Sequence, residues 1–238
     1  MKKLVILLYF GRMSWLEEYK KNISVLKEYG YDWLIFTDKK EFEKLVLKNL
    51  GIKCNWGECP IKPCDFAPAF GLIFEDYLKG YDWWAYTNFD IVFGRIDKFI
   101  PDRRLEKLDI VSFDDKAMNG MFSMMRNCKE VNNLFKQQDG WQKIMSDKEY
   151  HNFDEYGFEI KHQEEHGFSG VVRRAMKNGR IRAEFHFWHC HDGLPAHNPP
   201  KIKIEKDGSL ICETCKDEIV MFHFNKNRKK KYPKIKKL

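Results

Sequence analysis

The chain contains no apolar run long enough to cross a bilayer. It has no internal repeat, which sets solenoids and propellers aside. Its seven cysteines are odd in number and scattered, so they do not form a disulfide framework. The opening Met1-Lys2-Lys3-Leu4-Val5-Ile6-Leu7-Leu8 has no small-residue cleavage site and reads as a buried strand instead of a signal peptide. These absences predict a cytoplasmic chain with reduced thiols. Low hydrophobicity, the mark of disorder, is also missing: 43% of residues are hydrophobic and 15% aromatic. Residues 226–238 lack any acidic side chain yet hold eight of the positive charges, so the net +7 leaves residues 1–225 one unit negative. The expected division is a near-neutral domain, 1–225, and a basic tail, 226–238. Such a tail attracts polyanions: a charged glycan, nucleic acid or an anionic membrane surface.

Strand and helix signals alternate through the first half. Leu4–Phe10 is an apolar strand. Ser14 is placed to cap a helix through Leu16, Tyr19, Ile23 and Leu26, stopped by Gly30. A strand over Trp33–Phe36 and a helix over Glu41–Leu50, stopped by Gly51, follow. Asp65 is placed to cap a third helix with Phe70, Ile73, Phe74 and Tyr77 on its apolar face, before a dense strand over Trp83–Tyr86. The second half predicts short strands at Ile110–Phe113, Met121–Met125 and Ile181–Phe187. It also predicts helices at Val131–Lys136 and Val171–Met176, a hairpin around Asp207-Gly208, and a last strand over Glu218–Phe224. Alternation of this kind argues for an α/β fold with a mostly parallel sheet. Ligands bind beyond the carboxyl ends of such strands. Tyr9-Phe10-Gly11, Thr37-Asp38 and Asn88-Phe89-Asp90 all end strands and are expected to converge there.

Asn88-Phe89-Asp90 carries the chemistry. A carboxylate at a sheet mouth suits diphosphate binding through Mg²⁺ or Mn²⁺, which takes one or two protein carboxylates and fills its shell with phosphate oxygens and water. Asp154-Glu155, read locally, is an acid pair opening a helix.

The run Cys64-Asp65-Phe66-Ala67-Pro68-Ala69-Phe70-Gly71, then Gly80-Tyr81-Asp82-Trp83-Trp84, then Asn88-Phe89-Asp90-Ile91-Val92-Phe93-Gly94, resembles a family of bacterial and phage-borne glycosyltransferases of the GT-A type. Tyr9-Phe10-Gly11, Phe36-Thr37-Asp38, Phe153-Asp154-Glu155 and Phe222-His223-Phe224 extend the likeness over most of residues 4–228. The resemblance implies a GT-A, Rossmann-like fold with helices on both faces of a mixed, mostly parallel sheet. It implies a metal-dependent hexosyl- or pentosyltransferase using a nucleotide-diphosphate sugar, with UDP as the favoured nucleotide. Tyr9, Phe10, Gly11, Asp38, Asp65 and Lys226 would bind the donor; Asn88, Asp90 and His223 would hold Mn²⁺ or Mg²⁺; Asp154 and Glu155 would be catalytic. Asn88 stands where the family has an acid, and a neutral amide is a weaker ligand for a hard cation.

Three functions stay open on the sequence. The first is transfer to a glycan, with peripheral contact at the inner membrane face through the tail. The second is transfer to a hydroxymethylated base in phage DNA, inside a host cytoplasm. The third is a nucleic-acid-binding module without catalysis, held by structural Zn²⁺ on Cys190, Cys212 and Cys215.

Overall fold

The computed structural model describes residues 1–115, 117–156, 166–186, 189–191, 202–213, 216–224 and 236–237. The early elements are β1 (Lys3–Leu8), α1 (Leu16–Ser24), β2 (Tyr31–Phe36), α2 (Lys39–Leu50), α3 (Phe70–Ile73), β3 (Trp83–Thr87) and β4 (Ile91–Phe93). Next come α4 (Ile96–Phe99), α5 (Asp102–Leu105), β5 (Ile110–Ser112), β6 (Phe122–Arg126), α6 (Lys129–Asn132), α7 (Trp141–Ser146), α8 (Gly167–Lys177) and β7 (Ala183–Phe185). The last are β8 (His189–His191), β9 (Ile202–Ile204), β10 (Leu210–Cys212), β11 (Asp217–Ile219), β12 (Met221–His223) and β13 (Lys236–Lys237).

Six strands form the central sheet in the order β2-β1-β3-β6-β5-β7. β6 pairs antiparallel with both β3 and β5, while the β1–β2, β1–β3 and β5–β7 pairs are parallel. Five strands therefore point their carboxyl ends to one mouth, and β6 begins there. Period-two alternation sends Leu4, Ile6, Trp84, Tyr86, Ile110 and Met125 into one core, with α2, α3 and α8. Val5, Leu7, Trp83, Ala85, Val111 and Met124 enter the other, with α1, β4 and β12. The sheet is thus covered on both sides, as its continuous apolar strands require.

Two smaller sheets complete the fold. β4-β12-β8 is a three-stranded sheet, and β11-β10-β9-β13 a four-stranded one. The predicted hairpin is present: β9 and β10 pair antiparallel across a turn with Gly208 at φ +84°. The end of the basic tail, Lys236–Lys237, pairs in parallel with β9.

Several local expectations change. Ser14 does not cap α1; Trp15 occupies that position and supplies no side-chain cap. The helix tightens to a 3₁₀ turn over Val25–Tyr29 before Gly30 ends it. Asp65 does not cap the third helix, because the backbone is already a 3₁₀ helix over Lys62–Ala69 and Asp65 lies inside it. Tyr77 falls past the short α3 and is exposed. The predicted last strand is two strands: β11 serves the four-stranded sheet and β12 the three-stranded one, with Val220 between them. The predicted helix over Val131–Lys136 is a single turn followed by a 3₁₀ turn over Leu134–Gln137.

Candidate active site

The mouth gathers the ends of β1, β2, β3 and β5 and the start of β6. At its centre the chain leaves β3, turns through Asn88-Phe89-Asp90 and enters β4. This turn is anchored from three sides. Trp15 Nε1 donates to the Phe89 carbonyl at 3.0 Å, and the Asn88 amide donates to the Met121 carbonyl at 3.2 Å. The Phe89 ring packs on Tyr9, centroids 4.1 Å apart, and on Trp15 at 5.6 Å.

The antiparallel register of β4 and β12 sets His223 opposite Ile91, and the Phe224 amide donates to the Asp90 carbonyl at 3.0 Å. His223 and Asp90 are therefore cross-strand neighbours: Nε2 lies 3.2 Å from Oδ2. Asp90 is buried and His223 half-buried. The pair that the sequence separates by more than a hundred residues meets at the mouth. Burial and the Asp90 charge push the Tyr9 hydroxyl above its ordinary pKa.

An open pocket lies beside Asn88; Leu8, Phe70, Tyr86, Gly120 and Asp154 help line it. Asp154 is buried. Its Oδ1 accepts from Tyr150 Oη at 3.1 Å, and its carbonyl from Tyr86 Oη at 3.3 Å. Burial raises the Asp154 carboxyl well above the usual range, and the Glu155 and Asp65 charges add to this. Burial raises Glu155 too, against the Gly120 amide that donates to its Oε1 at 3.2 Å; His223 also draws it down. The first turn of α8 grips the Glu155 carbonyl through Ser169 N at 2.8 Å and Ser169 Oγ at 2.6 Å.

Gly120 is the residue sequence reading missed here. A Cβ on it would stand 2.5 Å from Asp154 Oδ2 and 2.7 Å from Glu155 Oε1. Only glycine lets the backbone pass that close to both carboxylates. Nothing in the Asn119-Gly120 dipeptide itself reveals this; a turn is its plain reading.

Asp38 is exposed at the end of β2 and caps α2, accepting from the Glu41 amide at 3.0 Å. Phe10 packs against Phe42 and Trp56. Gly11 is exposed beside the Tyr9 ring. Asp65 is fully buried, and both its oxygens accept bonds from protein donors: Lys62 Nζ, the His151 amide and the Phe153 amide, each at 2.9 Å. That arrangement opposes the expectation of a direct donor contact, because the carboxylate is turned into the protein. Asp154-Glu155 does not open a helix; it lies in a turn after Asn152, which has φ +54°.

Lys226, Cys215 and the Cys190 side chain lie outside the described residues, while Cys212 is buried on β10. Among the described residues no group of three or more His, Cys, Asp and Glu side chains is arranged to hold a metal. Among them, too, no helix is long and apolar enough to cross a membrane.

The profile of a family described as "Family of unknown function (DUF6625)" matches residues 5–237. No curated protein matches the chain. One solved structure, the crystal structure of a glycosyltransferase involved in the glycosylation of the major capsid of PBCV-1, is similar over 94% of this chain and 92% of that chain. Identity over that likeness is 9% and the TM-score 0.47.

Proposed function

The chain belongs to DUF6625, a family of unknown function, and we propose from its own site chemistry that it transfers a sugar from a nucleotide-diphosphate donor to an acceptor hydroxyl. The observation that carries this is the Asp90–His223 pair, 3.2 Å apart at the carboxyl mouth of a parallel sheet, beside a pocket shared by Asn88 and Asp154.

The Asp90 carboxylate suits Mn²⁺ or Mg²⁺, and the His223 imidazole favours Mn²⁺, the softer of the two. Two such donors, with Asn88 from the same turn, fit a cation whose other positions belong to phosphate oxygens and water. When bound, the cation would neutralise charge on the diphosphate as it leaves. Tyr9, Phe10, Gly11 and Asp38 at the ends of β1 and β2 are the nucleoside side of this reading. Lys226 would add a positive charge on the phosphates.

Glu155 is the better-placed base, since it is only partly buried and borders His223. Its raised carboxyl brings it closer to neutral pH, where a general base works best. In an inverting displacement the acceptor oxygen attacks the anomeric carbon, the bond to the diphosphate oxygen breaks, and the acceptor proton passes to Glu155. Asp154, buried and with its carboxyl raised, orients a hydroxyl of the donor sugar in the pocket. A glycan is the favoured acceptor, with UDP as the favoured nucleotide.

A thermal shift tests the reading. A nucleotide at 100 times its Kd stabilises by about 2.7 kcal/mol, or roughly 5–10 °C in a domain of this size. UDP with Mn²⁺ should raise the Tm of the wild type by that amount and leave Asp90→Ala unmoved. A wild type that no nucleoside diphosphate stabilises, with Mn²⁺ or Mg²⁺ present, would falsify the assignment.

A further inference from the structure

Lys62 and Asp65 are both fully buried on the same 3₁₀ helix. Two charges out of reach of water are costly unless every proton and lone pair is matched. Here they are matched from far along the chain. Lys62 Nζ donates to Asp65 Oδ2 at 2.9 Å, to the Glu149 carbonyl at 2.8 Å and to the Ile144 carbonyl at 2.5 Å. An ammonium has three protons, so its donors are filled. Asp65 Oδ2 also accepts from the His151 amide, and Oδ1 accepts from the Phe153 amide.

Four of these five bonds reach residues 144–153, more than eighty positions away. They bracket Asn152, whose left-handed φ of +54° needs support from its surroundings. The next two residues are Asp154 and Glu155. Stability alone does not call for such a pair, because a buried ion pair replaced by apolar groups of similar volume often costs nothing. What apolar groups cannot do is hold two carbonyls and two amides at fixed points.

We infer that Lys62 and Asp65 are positioning residues: together they lock the backbone of residues 149–153 so that Asp154 and Glu155 meet the crevice at a set depth. This rests on the proposed acid–base roles of those two carboxylates, and it gives Asp65 a task other than donor contact.

The test uses Lys62→Met/Asp65→Asn, which removes both charges together and leaves one acceptor for the amides. The variant should stay folded with a lowered urea midpoint, because the Ile144 and Glu149 carbonyls lose their donor. Amide exchange at His151, at Phe153 or at both should quicken at least about tenfold, because the one remaining oxygen replaces two that each served one amide. For donor-sugar hydrolysis, kcat should fall about 10–100-fold, the effect of a small misplacement, with the donor KM held within about threefold. A folded variant with wild-type kcat, or with unchanged exchange at both amides, overturns the proposal.

If the double variant does not fold, exchange in the wild type decides. The His151 and Phe153 protons must outlast those of the exposed Asp139–Gly140 turn by about 100-fold, and loop-like rates overturn the lock. A wild type that neither binds nucleotide nor hydrolyses a donor removes the glycosyl-transfer reading, and the exchange measurement still judges the lock separately.

Discussion

Two carboxylates share one backbone step at Gly120, and each residue there has a checkable consequence. Gly120→Ala places a methyl 2.5 Å from Asp154 Oδ2, so the acids or the strand must move. Overpacking of this kind costs about 1–3 kcal/mol. A urea titration should show that loss, and donor hydrolysis should fall with it; full activity in the alanine variant would mean the carboxylates tolerate separation. The raised carboxyls of Asp154 and Glu155 also set a pH dependence. A carboxyl whose folded pKa lies above its unfolded value, about 4, stabilises most below that value, and the contribution is lost as pH rises through the folded pKa. Wild-type stability should therefore decline as pH rises above that value and through the raised folded pKa values. Asp154→Asn should flatten that decline in urea melts, because the amide has no proton to lose. A variant with the same slope as wild type would show that Asp154 titrates normally.

At the scale of elements, α2 and β2 were legible because their signals are local. Phe42, Leu45 and Val46 fall on one helical face, Asp38 caps the start, and Gly51 ends the helix at φ +69°. Asp38→Ala should cost about 1 kcal/mol from the lost cap, read as a lower urea midpoint. If Asp38 also lines the nucleoside pocket, UDP affinity should fall beyond what the stability loss explains; unchanged affinity restricts Asp38 to capping. The segment 218–224 was read as one strand because nothing in its apolar pattern marks a change of sheet. β11 and β12 belong to different sheets, and the switch at Val220 follows from which neighbours are available, a tertiary matter. The same switch is what brings His223 to Asp90. The 3₁₀ helix over Lys62–Ala69 escaped notice for a related reason. Its apolar spacing resembles an α-helix, but its buried Lys62–Asp65 pair is satisfied by residues 144–153 and not by helix geometry.

Over the whole molecule the charge is uneven. Residues 1–225 carry one net negative charge, and the basic residues concentrate after them. Lys236–Lys237 pair with β9, so removing the entire tail would also strip a strand. The cleaner variant puts Gln at Lys226, Arg228, Lys229, Lys230, Lys231 and Lys234 and leaves β13 intact. Binding to vesicles rich in anionic lipid should weaken by about 1 kcal/mol per charge removed near the surface. Its salt dependence should shrink as well. Retention equal to wild type at low salt would assign membrane or polyanion contact to some other surface.

The sequence by itself determined the alternating strands and helices, the sheet mouth as the place for chemistry, and the turn residues Asn88 and Asp90, because periods of two and 3.6 and strand-end turns are properties of neighbouring residues. Only the tertiary structure decided which distant groups meet there. Asp90 finds His223 through the register of two short strands, Gly120 reaches Asp154 and Glu155 because β6 runs against its neighbours, and Asp65 turns inward to Lys62 and residues 151–153. Apart from Lys62–Asp65, three positions apart, each of those contacts joins residues dozens of positions apart, and no local pattern records the energy that pairs them.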